Sequence, residues 1–214
     1  QFGFAIVSVE YRLAPEHPHP APIEDCYAGL VWIQAHAPEY GIDSERIAVG
    51  GPSAGGGLAA GTALLARDRG GPRLVFQLLL EPMLDDRSAT YSSTQYDGTT
   101  VWDRTDNAHG WRSLLGDQVG GEGVSPYAAP ARAEELAGLP PALVDVGEVE
   151  TFRDECIDYA RRLLDAGVPT ELHVYPGAFH GFDLIAPDSR VARLAWSLRW
   201  AALTRAFGMA QNGG

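Results

Sequence analysis

The chain has no lysine. All 16 of its basic residues are arginine, set against 28 acidic residues. The choice of arginine is a compositional bias and carries no chemical message. The shortage of positive charge does. A formal net charge of −12 leaves no basic surface for a phosphate backbone, which argues against a nucleic-acid partner. Cysteine is nearly missing too. Cys26 and Cys156 lie far apart inside helix-like segments and read as buried thiols, not as a disulfide or metal pair. No apolar run approaches the length of a membrane span, so no membrane partner is expected. There is no internal repeat, no low-complexity tract and no visible signal peptide, and the expected location is the cytoplasm. The chain nevertheless opens at Gln1 with residues that already read as a core strand, so an upstream segment is expected. What is present is ordinary: 214 residues, 45% of them hydrophobic, enough for one domain with a real core.

One stretch orders the rest. Ile47 to Leu58 reads as a short apolar strand, a tight turn with one serine at its tip, and the start of a helix. Gly51-Pro52-Ser53-Ala54-Gly55 fits the G-x-S-x-G nucleophile elbow. Such a turn strains the serine and requires small neighbours, here Gly51 and Gly55. The helix behind it points free N–H groups at any negative charge that forms. Alone, the five residues fit equally an ordinary turn with Ser53 as a helix N-cap.

The remaining chain alternates strand and helix, the pattern of an α/β fold with a mostly parallel sheet and helices on both faces. Strands are expected at 2–9, 46–50, 74–80, 142–146 and 171–175. Residues 2–9 form a nearly continuous apolar run, as for a strand buried on both faces. Helices are expected at 22–36, 54–69, 152–166 and 189–207, the last with Val191, Leu194, Leu198 and Trp200 as core candidates. Between 17 and 22, three prolines forbid helix and ladder. His17 and His19 lie there without a third ligand nearby, so no metal site is expected. Residues 88–127 break the alternation, with a short helix at 105–115, and read as an insertion of the kind that builds a substrate lid. The whole of 1–214 reads as one domain.

In open parallel sheets the reactive groups gather at the carboxyl ends of the strands. Three such ends carry suitable side chains: Ser53 after 46–50, Glu148 and Glu150 after 142–146, and His180 after 171–175. Serine, acid, histidine is the chain order of an α/β-hydrolase triad. Of the six histidines, only His180 sits in a Gly- and aromatic-flanked loop after a late strand.

These residues carry a specific resemblance. Tyr11-Arg12-Leu13-Ala14-Pro15-Glu16-His17-Pro18, Gly51-Pro52-Ser53-Ala54-Gly55-Gly56, Ser125-Pro126-Tyr127-Ala128-Ala129-Pro130, Leu139-Pro140-Pro141-Ala142 and Phe179-His180-Gly181-Phe182 resemble motifs of the bacterial hormone-sensitive-lipase-like esterases of the α/β-hydrolase superfamily. The resemblance runs nearly end to end. It implies hydrolysis of short to medium acyl esters through an acyl-serine, without cofactor or metal, and in many members a homodimer through the edge of the last strand. Ser53 takes the nucleophile position and His180 the base position. The acid aligns with Glu150, as in a glutamate-using branch, with Asp154 as rival and Glu148 as a helix-entry carboxylate. Ala54 supplies an oxyanion N–H. Other readings are a non-catalytic ligand-binding module on the same fold, or an inactive fragment.

Two further departures from the family pattern stand out. Proline at 52 replaces the usual Asp or Thr. No His-Gly-Gly-Gly oxyanion loop precedes Tyr11. In this family the strand ahead of that loop lies between the 2–9 strand and the 46–50 strand. Its absence is expected to leave those two without their common neighbour.

Overall fold

The computed structural model describes residues 3–98 and 100–209. Four strands form the sheet they contain: β1 (Ile47–Pro52), β2 (Leu74–Leu80), β3 (Ala142–Val149) and β4 (Thr170–Phe179). They lie side by side in sequence order and every adjacent pair is parallel. Parallel neighbours need crossovers. These are α2 (Ala54–Asp68) after β1, a long excursion with α3 (Tyr91–Gln95) and α4 (Arg104–Leu115) after β2, and α5 (Arg153–Asp165) after β3. Helix α1 (Ala21–His36) precedes the sheet, and α6 (Phe182–Ile185) and α7 (Arg190–Ala206) follow it.

Side chains alternate along a strand, and β3 shows both faces at work. Ala142, Val144 and Val146 point into a core shared with α2, α5 and Trp111 of α4. Leu143 points the other way, into a smaller core with Phe76, Leu80 and Ala202 of α7. Asp145 is on that second face too, where Arg199 of α7 grips it at 2.7 and 3.1 Å; both side chains are buried. Arg199 also pairs with Asp183 of α6. Helix α7 therefore keeps only part of its expected stripe. Val191 and Leu198 pack against the core beside β4, but Leu194 is exposed, and Ala192, Ala195, Ala202 and Arg199 supply the buried face. Small residues let the helix lie close to the sheet, and the two carboxylates make the buried guanidinium tolerable.

The strand expected at 2–9 does not form. Residues 3–10 are in no strand; Phe4 packs on the rings of Trp200 and Phe207, while Ile6 is 84% exposed. Phe2 lies outside the described residues. A cleft of about 850 Å3 separates this segment from β1, lined by Phe4, Ile6, Val9, Ala48, Gly50 and Leu58 among others. The outer edge of β1 thus faces open space. The expected strand at 171–175 is longer than its alternation suggested, running from Thr170 to Phe179. Strand β3 likewise runs three residues past its expected end, to Val149, and the other expected elements match within a residue or two. Among the described residues no helix is long and apolar enough to cross a membrane.

Candidate active site

The site lies where β1, β3 and β4 end. Strand β1 delivers Ser53 with φ of 55° and ψ of −122°, a conformation that L residues rarely adopt and that stores about 1–3 kcal/mol. Hydrogen bonds hold it there. Ser53 N–H donates to Leu80 O at 2.8 Å, and Ser53 O accepts from Gly57 N–H at 3.0 Å and Met83 N–H at 3.1 Å. Successive N–H groups of a strand point to opposite sides. Ser53 turns its N–H to β2, so the donor that Pro52 lacks falls on the open side of β1, where it costs no ladder bond.

The glycines play different parts from those expected. A Cβ on Gly51 would meet the Gly55 backbone at 2.8 Å, so Gly51 is needed. A Cβ on Gly55 would meet only Pro52 Cδ, at an ordinary 3.6 Å. The tightest position is Gly57, where a Cβ would lie 2.2 Å from Met83 O. Helix α2 is pressed against the chain leaving β2, and that contact fixes the turn.

The corner after β4 brings His180 to the serine. His180 Nε2 is 3.0 Å from Ser53 Oγ, and Nδ1 is 2.5 Å from Glu150 Oε2. With Nδ1–H directed at the carboxylate, Nε2 is free to accept the serine proton. Glu150 is fully buried and His180 nearly so. Burial pushes the His180 imidazole down, but the Glu150 hydrogen bond and the charges of Glu150, Glu81 and Asp183 outweigh it and hold the pKa above its ordinary value. Burial raises the Glu150 carboxyl, and His180 pulls it back.

The other two acids face elsewhere. Asp154 accepts from Ser92 N–H at 2.8 Å and from Arg153, and so ties α5 to α3. Glu148 accepts from Gly177 N–H at 2.9 Å and braces the end of β4. Ala54 is the first residue of α2, so its N–H has no partner inside the helix. His19 contributes its backbone N–H to Leu114 O, 2.9 Å away, and pins the proline loop to α4.

Residues 88–127 are not peripheral. Trp111 is buried in the main core. Thr151 Oγ1 donates to Trp102 O at 2.9 Å, and Ser92 Oγ donates to Thr151 O at 2.9 Å. The Trp102 and Phe152 rings lie 6.2 and 5.3 Å from the His180 ring. Sequence reasoning also passed over Glu81. It is buried, with φ of 40°, and its Oε2 accepts from Gly181 N–H at 2.8 Å and lies 3.6 Å from His180 Nδ1. The available signal was a lone charge at the carboxyl end of the apolar strand β2.

A family model described as alpha/beta hydrolase fold matches residues 1–184. The chain belongs to the alpha/beta hydrolase fold family. Its relatives agree with the hormone-sensitive-lipase-like resemblance. The chain is 41% identical over 204 residues to Carboxylesterase NlhH of Mycobacterium tuberculosis, matching 94% of this chain and 64% of that protein. It is 44% identical over 178 residues to Esterase LipI of the same species, matching 83% of this chain and 55% of that one. Among solved structures, Bacterial Heroin Esterase superimposes with a TM-score of 0.94 at 49% identity, covering 97% of this chain and 66% of the other. The chain therefore spans just under two thirds, or less, of the length of these relatives.

Proposed function

We propose that the protein is a serine carboxylesterase acting on short to medium acyl esters. The observation that carries this reading is the continuous line Ser53 Oγ, His180 Nε2, His180 Nδ1, Glu150 Oε2, with spacings of 3.0 and 2.5 Å across its two hydrogen bonds. Ser53 Oγ attacks the ester carbonyl as its proton passes to His180 Nε2. The carbonyl π pair moves to oxygen, and the N–H of Ala54 donates to the oxyanion. The tetrahedral carbon then expels the alkoxide, which takes the proton from Nε2 and leaves as alcohol. Water repeats the sequence on the acyl-serine and releases the acid. Glu150 fixes the imidazole tautomer and stabilises the imidazolium in both halves.

Residues 88–127 act as a wall over this site, since the Trp102 ring lies beside His180 and its carbonyl is tied to Thr151. The edge of β4, with Leu172 and Val174 partly exposed, is the surface for a homodimer. The strongly negative charge leaves small esters, not nucleic acid, as partners. The two free thiols suit the reducing cytoplasm.

The test is covalent labelling of Ser53 by a fluorophosphonate probe, alongside hydrolysis of p-nitrophenyl acetate. The wild-type chain labels and turns over ester, and Ser53→Ala and His180→Ala do neither. A folded wild-type chain that neither labels nor hydrolyses short esters defeats the reading.

A further inference from the structure

Three acidic or basic side chains, not two, meet behind Ser53. Glu81, Glu150 and His180 each bring a polar atom within 4.8 Å of the others. Glu150 is accounted for by its hydrogen bond to Nδ1. Glu81 is not, and an ionisable group held with almost no solvent contact needs a reason. Its backbone is costly too, since φ of 40° is unfavourable for a residue with a side chain. The main chain enforces that conformation, with Glu81 N–H donating to Asp145 O at 2.7 Å. The result is a carboxylate turned inward from the end of β2 towards the corner that holds the histidine.

We propose that Glu81 is a second positioning carboxylate for His180: it latches the histidine corner through the Gly181 N–H and, when ionised, adds its charge to that of Glu150 on the Nδ1 side of the imidazole. This rests on the esterase reading for its catalytic consequence, though not for its effect on the imidazole. The latch follows from the 2.8 Å bond to Gly181, whose neighbour is the base itself. The charge effect follows from the 3.6 Å separation, too long for a hydrogen bond and short enough for strong attraction inside a protein.

The groups facing Glu81 come from every side. Glu150 follows β3, Cys156 lies on α5, and His180 and Asp183 flank the corner after β4. Asp145, behind Asp183, is matched by Arg199. Burial first, and the charge of Glu150 second, push the Glu81 carboxyl up to about 7. Below that pH, Glu81 is neutral and Glu150 alone supports the imidazolium. Above it, two carboxylates do. The ionised Glu81 raises the affinity of His180 for its proton, so the two titrations are linked and the imidazole curve is broadened.

The decisive variant is Glu81→Gln, which keeps the size and an oxygen for the Gly181 N–H while removing the charge. The readout is NMR titration of ring-labelled histidine, with His180 assigned by His180→Ala. The His180 midpoint falls in Glu81→Gln and its curve narrows, whereas Glu81→Asp, which keeps a charge, stays between Gln and wild type. With p-nitrophenyl acetate, kcat falls about tenfold in Glu81→Gln with KM unchanged. A His180 curve in Glu81→Gln that superimposes on wild type overturns the proposal, as does an equal fall in the Gln and Asp variants. The imidazole titration needs no turnover. A chain that shows the shift but cleaves no ester loses the esterase reading and keeps the role of Glu81; the opposite result removes Glu81 alone.

Discussion

The two flanks of Ser53 could hardly differ more. On the β3 and β4 side every group has neighbours: Glu150 is fully buried, Glu148 and Glu81 each accept a backbone N–H, and Asp145 and Arg199 close a buried ion pair. On the other side, among the described residues, β1 has no strand beyond it, and the apolar run from Phe4 to Val9 lies across a cleft with Ile6 in solvent. The two flanks are built from similar sequence. Val7 and Val9 are as suited to a strand as Val144 and Val146, yet only the second pair is in a ladder. The difference shows that an apolar run specifies a strand only when a partner edge is there to receive it. Burial belongs to the neighbourhood, not to the residue.

That contrast can be broken in graded steps. The largest effect belongs to the closed flank: Glu150→Gln lowers kcat/KM for p-nitrophenyl acetate by about 10⁴-fold, because the imidazole loses the acceptor that fixes its tautomer. Asp145→Asn comes next, costing about 3–5 kcal/mol in urea unfolding, since it strips a partner from a guanidinium with no access to water. Gly57→Ala is smaller, about 1–3 kcal/mol, as a methyl group is driven against Met83 O, whereas Gly55→Ala is nearly neutral by the same assay. On the open flank Ile6→Ser changes stability by less than about 0.5 kcal/mol. A large loss there would show that Ile6 is covered in solution and would erase the comparison.

The pH dependence sharpens the same point. His180 must be neutral to accept the Ser53 proton, so activity falls as acid protonates it. Its neighbouring carboxylates hold its pKa above the ordinary histidine value. The loss of kcat/KM therefore begins at a pH above that value, and a profile falling only below it would show that burial, not Glu150, dominates the imidazole.

Much of this was legible in the sequence. The alternation of strands and helices, the Gly51-to-Gly55 turn and the order serine, acid, histidine all rest on local patterns, and local patterns survive folding. The acids were harder. Glu148, Glu150 and Asp154 lie within seven residues, and only the pleat of β3 and the entry angle of α5 decide which one reaches His180. Glu81 and Arg199 escaped because their meaning depends on partners about 100 and 54 residues away. The failed strand at 2–9 has the opposite cause. Its own signal was sound, and the missing information was what lies beside it.

The threonine after Glu150 has one more consequence. Thr151 is bonded through its hydroxyl to Trp102 and through its carbonyl to Ser92, so the 88–127 segment and the placement of Glu150 share one fastening. If the proposed esterase activity holds, reshaping the site for bulkier esters meets that fastening first. Changes at Tyr91 or Val101, which are exposed, leave the acid where it is. Changes at Ser92 or Trp102 shift the 88–127 segment and Glu150 together, so under the proposed activity a variant that gains room there is expected to lose rate in the same stroke.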